Sequence, residues 1–232
     1  MPRPTQKILL AYYRAMHNRW GNQHWWPAQS RTEIMVGAIL TQNTSWRNVE
    51  KALANLKSAN LLPPNRQPHA ESNSIRTLHA LGVARLATLI RPAGTYRIKA
   101  RRLWNLLDWF VTHYDASFAR TRRTPTPNLR AALLALHGIG PETADALLLY
   151  AFHRPAFVID TYTLRIFHRH HLLPPAAAYN DAQALAQRLL PADIPLWNDY
   201  HAQLVQVGKT FCRTHPHCAG CPLQKFLPQT PS

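Results

Sequence analysis

The stretch that decides the fold covers residues 129–152, LRAALLALHGIGPETADALLLYAF. Its apolar residues recur three and four apart on both sides of Gly138-Ile139-Gly140, the spacing of one buried face of an α-helix. Two glycines one residue apart permit a tight turn and the close approach of another backbone. Pro141 then fits the first turn of the following helix, where its fixed φ suits the chain and its missing N–H is no loss. The segment is read as two helices joined by a hairpin. Amides at the start of the second helix point outward, and such a helix start binds phosphate.

The same periodicity extends outward. It governs 33–56, EIMVGAILTQNTSWRNVEKALANL, and 103–114, LWNLLDWFVTHY. Alternating strand patterns are nearly absent. Pro63-Pro64, Pro125, Pro127, Pro155, Pro174-Pro175 and Pro191 punctuate the periodic segments. The class is therefore all-α, with about ten helices. The stretch from Pro63 to Pro68 reads as an exposed loop, and the final LPQTPS as a loose tail.

Lys and Arg total 27 against 11 Asp and Glu, a net charge of +16. The excess is mostly arginine, clustered in RIKARRL (97–103) and ARTRR (119–123), and a guanidinium fork fits phosphate oxygens. A polyanion is the natural partner, although a merely solvated basic surface has the same composition. No run of about eighteen apolar residues and no cleavable leader pattern appears, so a soluble, intracellular protein with no membrane partner is expected. The three cysteines, Cys212, Cys218 and Cys221, are too few and too clustered for an extracellular disulfide framework and suggest a metal instead.

The hairpin resembles the helix-hairpin-helix motif L-x-G-I-G-x-x-T-A, carried here by Leu136, Gly138, Ile139, Gly140, Thr143 and Ala144. Downstream, FVIDTYTLRIFHR (157–169) is similar to the V-D-T-x-x-x-R stretch of the endonuclease III superfamily. MVGAILTQNTSWRNVEKAL is similar to that family's early helix, and PAGTYRIKARRL (92–103) to its P-A-G-x-Y-x-x-K-A-x-x-L segment. On these residues the chain resembles the helix-hairpin-helix (HhH-GPD) DNA glycosylases, most nearly the 3-methyladenine branch of the endonuclease III family. The resemblance implies an all-α, two-domain fold. Residues 29–151 would form a six-helix bundle ending in the hairpin at about 127–151. Residues 1–28 and 152–232 would form a second, discontinuous helical domain carrying the cysteine loop. The substrate base would enter between the two.

The same resemblance implies a monomeric, cytoplasmic enzyme of bacterial nucleoid DNA, acting on double-stranded DNA with damaged bases. Asp160 would be the catalytic carboxylate, stabilising the positive charge that develops at C1′ as a base leaves. Its position just before TYTLRIFHRHH also suits a simple helix N-cap, and the two roles are compatible. Bifunctional members carry a lysine where this chain has Glu142. A carboxylate forms no imine, so base removal without strand cleavage is expected unless Lys99 or Lys209 enters the cleft. Trp25, Trp26, Pro27, Trp46 and Glu142 would form the pocket for a flipped, cationic alkylated purine, against the alternative that the tryptophans are core. Gln42, Gly138, Ile139, Gly140, Thr143, Arg165, Lys209 and Arg213 would meet DNA, with Gln42 filling the gap left by the extruded nucleotide or being no more than a polar surface residue.

For the cysteine loop, FCRTHPHCAGCPL resembles the family's iron-sulfur segment, with Leu227 near the expected fourth cysteine. A [4Fe-4S] cluster with an unusual ligand, a zinc site completed by His215 or His217, and a loop holding no metal all remain open. His168, His170 and His171 read as surface or capping residues. Two other functions stay in view: a lyase for oxidised pyrimidines, and a module that binds DNA through the hairpin without catalysis.

Overall fold

The computed structural model describes residues 5–228, and every regular element among them is helical. Residues 229–232 of the expected loose tail lie outside the described residues. The chain divides into two compact units, Trp26–Arg154 and, discontinuous in sequence, Met1–Trp25 with Pro155–Ser232. α1 (Gln6–Trp20) belongs to the discontinuous unit. The central unit contains α2 (Arg31–Leu40), α3 (Trp46–Ser58), α4 (Pro68–Ala80), α5 (Gly82–Leu89), α6 (Tyr96–Tyr114), α7 (Thr126–Leu134) and α8 (Pro141–Ala146). α8 continues as a π-turn, Leu147–Ala151. α9 (Thr161–Arg169), α10 (Tyr179–Leu189) and α11 (Ile194–Thr210) complete the discontinuous unit. No described helix is long and apolar enough to cross a membrane.

The central unit is built around α2, buried from Thr32 to Leu40 and packed on α3, α4, α6, α8 and the π-turn. A helix apolar on every side needs such enclosure. Its start is held by carboxylates. Ser30 Oγ accepts from Glu33 N at 3.2 Å, Glu33 pairs with Lys57 at 2.6 Å, and the buried Glu71 of α4 accepts from Arg31 N at 2.6 Å and from its guanidinium. The C-terminal end, where carbonyls lack helical donors and the helix dipole is negative, is held by a cation. Lys99 of α6, fully buried, donates from Nζ to Leu40 O at 2.8 Å and Ala93 O at 2.7 Å.

The helical period read through 33–56 is interrupted in the fold. Thr41–Ser45 form a turn in which Asn43 has φ +50° and Ser45 is extended. The five residues are polar, and Asn tolerates the left-handed region better than most, so the chain breaks where it has nothing to bury. Pro63 is likewise buried rather than exposed, while residues 64–68 are exposed as expected.

In the discontinuous unit, the buried Asp199 of α11 joins three segments. It accepts from Tyr13 Oη at 3.0 Å, Gln23 N at 2.7 Å and Gln203 Nε2 at 3.3 Å, and lies 3.2 Å from His17 Nδ1. Tyr200 donates to Leu9 O at 2.8 Å. α9 packs closely on α11 because residue 208 is glycine: a Cβ there would overlap the Tyr162 side chain.

Candidate active site and hairpin

The hairpin between α7 and α8 forms as the glycines suggest, but the two do different work. Gly138 has φ +88°, and a Cβ on it would overlap the stem of Arg102. Gly140 is extended and exposed, with open space where a Cβ would stand. Ile139 is buried, and its N–H donates to Leu136 O at 3.1 Å. Below the turn, Asp145 of α8, fully buried, takes a two-pronged pair from Arg130 of α7 at 2.7 and 2.9 Å. Gln42, in the turn after α2, braces the hairpin. Its Nε2 donates to Gly138 O and to Thr143 Oγ1, both at 3.0 Å, and its Oε1 accepts from Arg102 at 2.6 Å. Both ends of the Gln42 amide are thus engaged within the central unit. Arg102 is the member of this network that the sequence did not single out.

Asp160 caps α9, with Oδ1 accepting from Thr163 N at 2.7 Å. It follows the buried run Phe157–Ile159, which brings it inward, yet about 10% of its side chain stays accessible. Its second oxygen lies 3.8 Å from His201 Nε2 on α11. Burial holds the His201 imidazole below its ordinary value, opposed by the Asp160 charge and aided by Lys209, so His201 faces the carboxylate as a neutral ring. Sequence carried no sign of this neighbour: one histidine inside an apolar helix reads as core. Lys209 and Arg213 are exposed, and Arg213 Nε donates to Lys209 O at 2.8 Å. Arg165 turns to the cysteine loop, donating to Cys212 O at 2.7 Å and lying 5.2 Å from the Tyr162 ring. Lys99, committed to two carbonyls, is pushed down to about 8 by burial and by Arg102.

The structure brings Trp26 and Trp46 together, edge to face at 5.5 Å, with Tyr150 also 5.5 Å from Trp26. Trp26 lies against Gly37 of α2, where a Cβ would come 3.0 Å from its ring. Tyr150, on the π-turn, is a third aromatic that the apolar run LLLYAF had concealed. Trp25 is half-buried in the discontinuous unit, whereas Pro27 and Glu142 are exposed in the central one.

Cys212, Cys218 and Cys221 line one cavity of about 250 Å³, together with Arg169, His170 and Leu227. Arg169 reaches Cys212 Sγ at 3.3 Å, and burial raises the Cys221 thiol. His215 and His217 are exposed and do not line the cavity. Among the described residues no group of three or more histidine, cysteine or acidic side chains has a metal-holding arrangement. The donor set is one thiol short of a four-cysteine cluster site, and Leu227 lines the wall where a fourth was sought. His170 takes the capping one of its two expected roles, as C-cap of α9, but not the surface one: it contacts Tyr12 Oη at 3.0 Å, and burial pushes it down to about 4.

Comparisons with known proteins identify relatives of the chain. Residues 36–192 match a family described as HhH-GPD superfamily base excision DNA repair protein. A Methanocaldococcus jannaschii protein named "Putative DNA repair glycosylase" is 42% identical over 222 residues, covering 95% of this chain and 92% of that protein. Endonuclease III of Thermotoga maritima is 29% identical over 189 residues, covering 81% and 78%. Among solved structures, an H. pylori 3-methyladenine DNA glycosylase bound to 1,N6-ethenoadenine superposes with TM-score 0.71 at 28% identity, covering 88% of this chain and 96% of that one. A DNA-bound endonuclease III shares the fold at TM-score 0.74 and 22% identity, covering 97% and 96%.

Proposed function

The chain belongs to the HhH-GPD superfamily of base excision DNA repair proteins, and we propose that within it the protein is a monofunctional glycosylase removing alkylated purines such as 3-methyladenine from duplex DNA. The observation that carries the reading is Asp160: a helix-capping carboxylate, nearly buried, with one oxygen held by Thr163 N and the other facing a neutral imidazole. Such a group stabilises positive charge developing at C1′ while the base departs and orients the water that replaces it. The likeness to the H. pylori 3-methyladenine enzyme and the Trp26–Trp46–Tyr150 cluster support a flat, cationic base as the leaving group. Glu142, at the position where bifunctional relatives carry lysine, and the engagement of Lys99 support base removal without strand cleavage. The hairpin and the +16 charge support duplex DNA as partner.

Base release from methylated duplex, measured by mass spectrometry beside oxidised and deaminated controls, tests the reading. Asp160→Asn retains the cap and is expected to leave stability within about 0.5 kcal/mol, while base release falls by about two to three orders of magnitude. Full release by this variant would sink the assignment of Asp160. Strand cleavage by the wild type without heat or alkali would sink the monofunctional one.

A further inference from the structure

The arginines of RIKARR do not share a task. Lys99 points into the core and Arg102 to the hairpin, whereas Arg97 and Arg101, one helical turn apart and so on the same face of α6, turn toward α5. There they meet Arg91, from the 3-10 turn Arg91–Ala93, around a groove of about 520 Å³ whose apolar side includes Val83, Ala87 and Tyr96. Among the described residues no acidic side chain lines this groove. None of the three guanidinium groups makes a hydrogen bond or ion pair among the described residues; Arg97 alone has a neighbour of note, the Tyr96 ring at 5.8 Å. Some arginines of the same unit are compensated, Arg31 by Glu71, Arg76 by Asp115 and Arg130 by Asp145, whereas these three share one groove. Three uncompensated cations on one concave surface repel one another, an arrangement that is relieved by a polyanion.

We propose that this groove is a second DNA-backbone site, taking successive phosphates of the duplex flanking the nucleotide presented at the hairpin. The inference rests on the reading of the chain as a DNA enzyme and adds a site to it. α6 connects the two places: Arg102 braces Gly138 and Gln42 on one side of the helix, and its sequence neighbour Arg101 opens the groove on another. Arg97 and Arg101 stand about 6 Å apart along the axis, a separation that suits consecutive phosphates of one strand. Guanidinium forks there fix the register of a duplex and read no sequence.

The test is the salt dependence of binding to an undamaged duplex long enough to run past the hairpin, followed by fluorescence anisotropy. Replacing Arg91, Arg97 and Arg101 by alanine is expected to flatten the slope of log K against log salt by about 2.7. Between 50 and 200 mM salt the wild type then loses roughly 40-fold more affinity than the variant. The corresponding triple lysine variant retains the slope, which separates charge from folding. A control triple at exposed arginines elsewhere, Arg14, Arg66 and Arg188 to alanine, changes it by less than one phosphate's worth. Equal slopes for wild type and groove variant, or an equal effect of the control, overturn the proposal. So does saturable binding of tripolyphosphate without DNA that the groove variant loses while its salt slope stays unchanged, since the groove would then serve a free phosphate ligand. Base release is measured separately: a wild type whose slope exceeds the groove variant's by the expected amount but that releases no base refutes the glycosylase reading and leaves the groove standing.

Discussion

Replacing Lys99 by methionine sets two large effects against each other, and pH separates them. In an unfolded chain this lysine titrates near 10.5; in the fold it titrates at about 8, a difference of about 3 kcal/mol against the buried ammonium. Below pH 8 both folded and unfolded chains hold the proton, and the whole penalty is present. Above 10.5 neither holds it. Wild-type stability therefore gains up to about 3 kcal/mol from this group as pH rises from 8 to 10.5, because the unfolded chain binds the extra proton there. Methionine removes the penalty at neutral pH but strands the carbonyls of Leu40 and Ala93, at about 1–3 kcal/mol each. At pH 7 the two effects largely offset, leaving the variant between about 1 kcal/mol more stable and about 3 kcal/mol less stable than wild type. At pH 10.5 wild type retains both hydrogen bonds through the neutral amine, and the gap widens by about 3 kcal/mol. Urea melts of both proteins across pH 7 to 10.5 measure the gap directly, since groups common to both cancel. A gap that stays constant with pH refutes the account of Lys99. Base release by the folded variant at neutral pH is expected to stay near wild type, because Lys99 is committed to the carbonyls of a helix end.

Arg130→Met removes the guanidinium from the fully buried Asp145 and is expected to cost about 3–5 kcal/mol, read as a lowered urea midpoint at unchanged slope. The two hairpin glycines separate folding from binding. Gly138→Ala meets both a left-handed backbone and the Arg102 stem, so a loss of about 1–3 kcal/mol in stability is expected. Gly140→Ala has neither obstacle, so its melt should match wild type, and a drop in duplex affinity there reports the close approach of DNA backbone.

What could be read from the chain was local. The glycine hairpin, Pro141 opening α8 and Asp160 capping α9 all follow rules acting over three or four residues, and each stands as those rules indicate. The break at Thr41–Ser45 was hidden because the apolar period on both sides stayed helical, and only burial distinguishes a continuous helix from two. Residues that meet through space left no trace. His201 reaches Asp160 across some forty residues of sequence, and Arg102 reaches Gln42 across 60. Tyr150 looked like one more apolar member of LLLYAF until the π-turn set it beside Trp26. The cysteine spacing foretold a shared loop, but not that His170 would line its cavity while His215 and His217 stayed outside.

The unit that carries Asp160 is sewn from two stretches that flank the central one, and this orders events during translation. α1 leaves the ribosome early, yet Tyr13 finds Asp199 only after 186 further residues are made, on the order of ten to forty seconds at ordinary elongation rates. Through that interval Leu9, Tyr12 and Met16 have no finished partner surface, while the segment 26–154 can already collapse. Nascent chains stalled before α11 should therefore expose a sticky amphipathic helix to chaperones, and the surroundings of Asp160, the carboxylate proposed for the chemistry, are completed last.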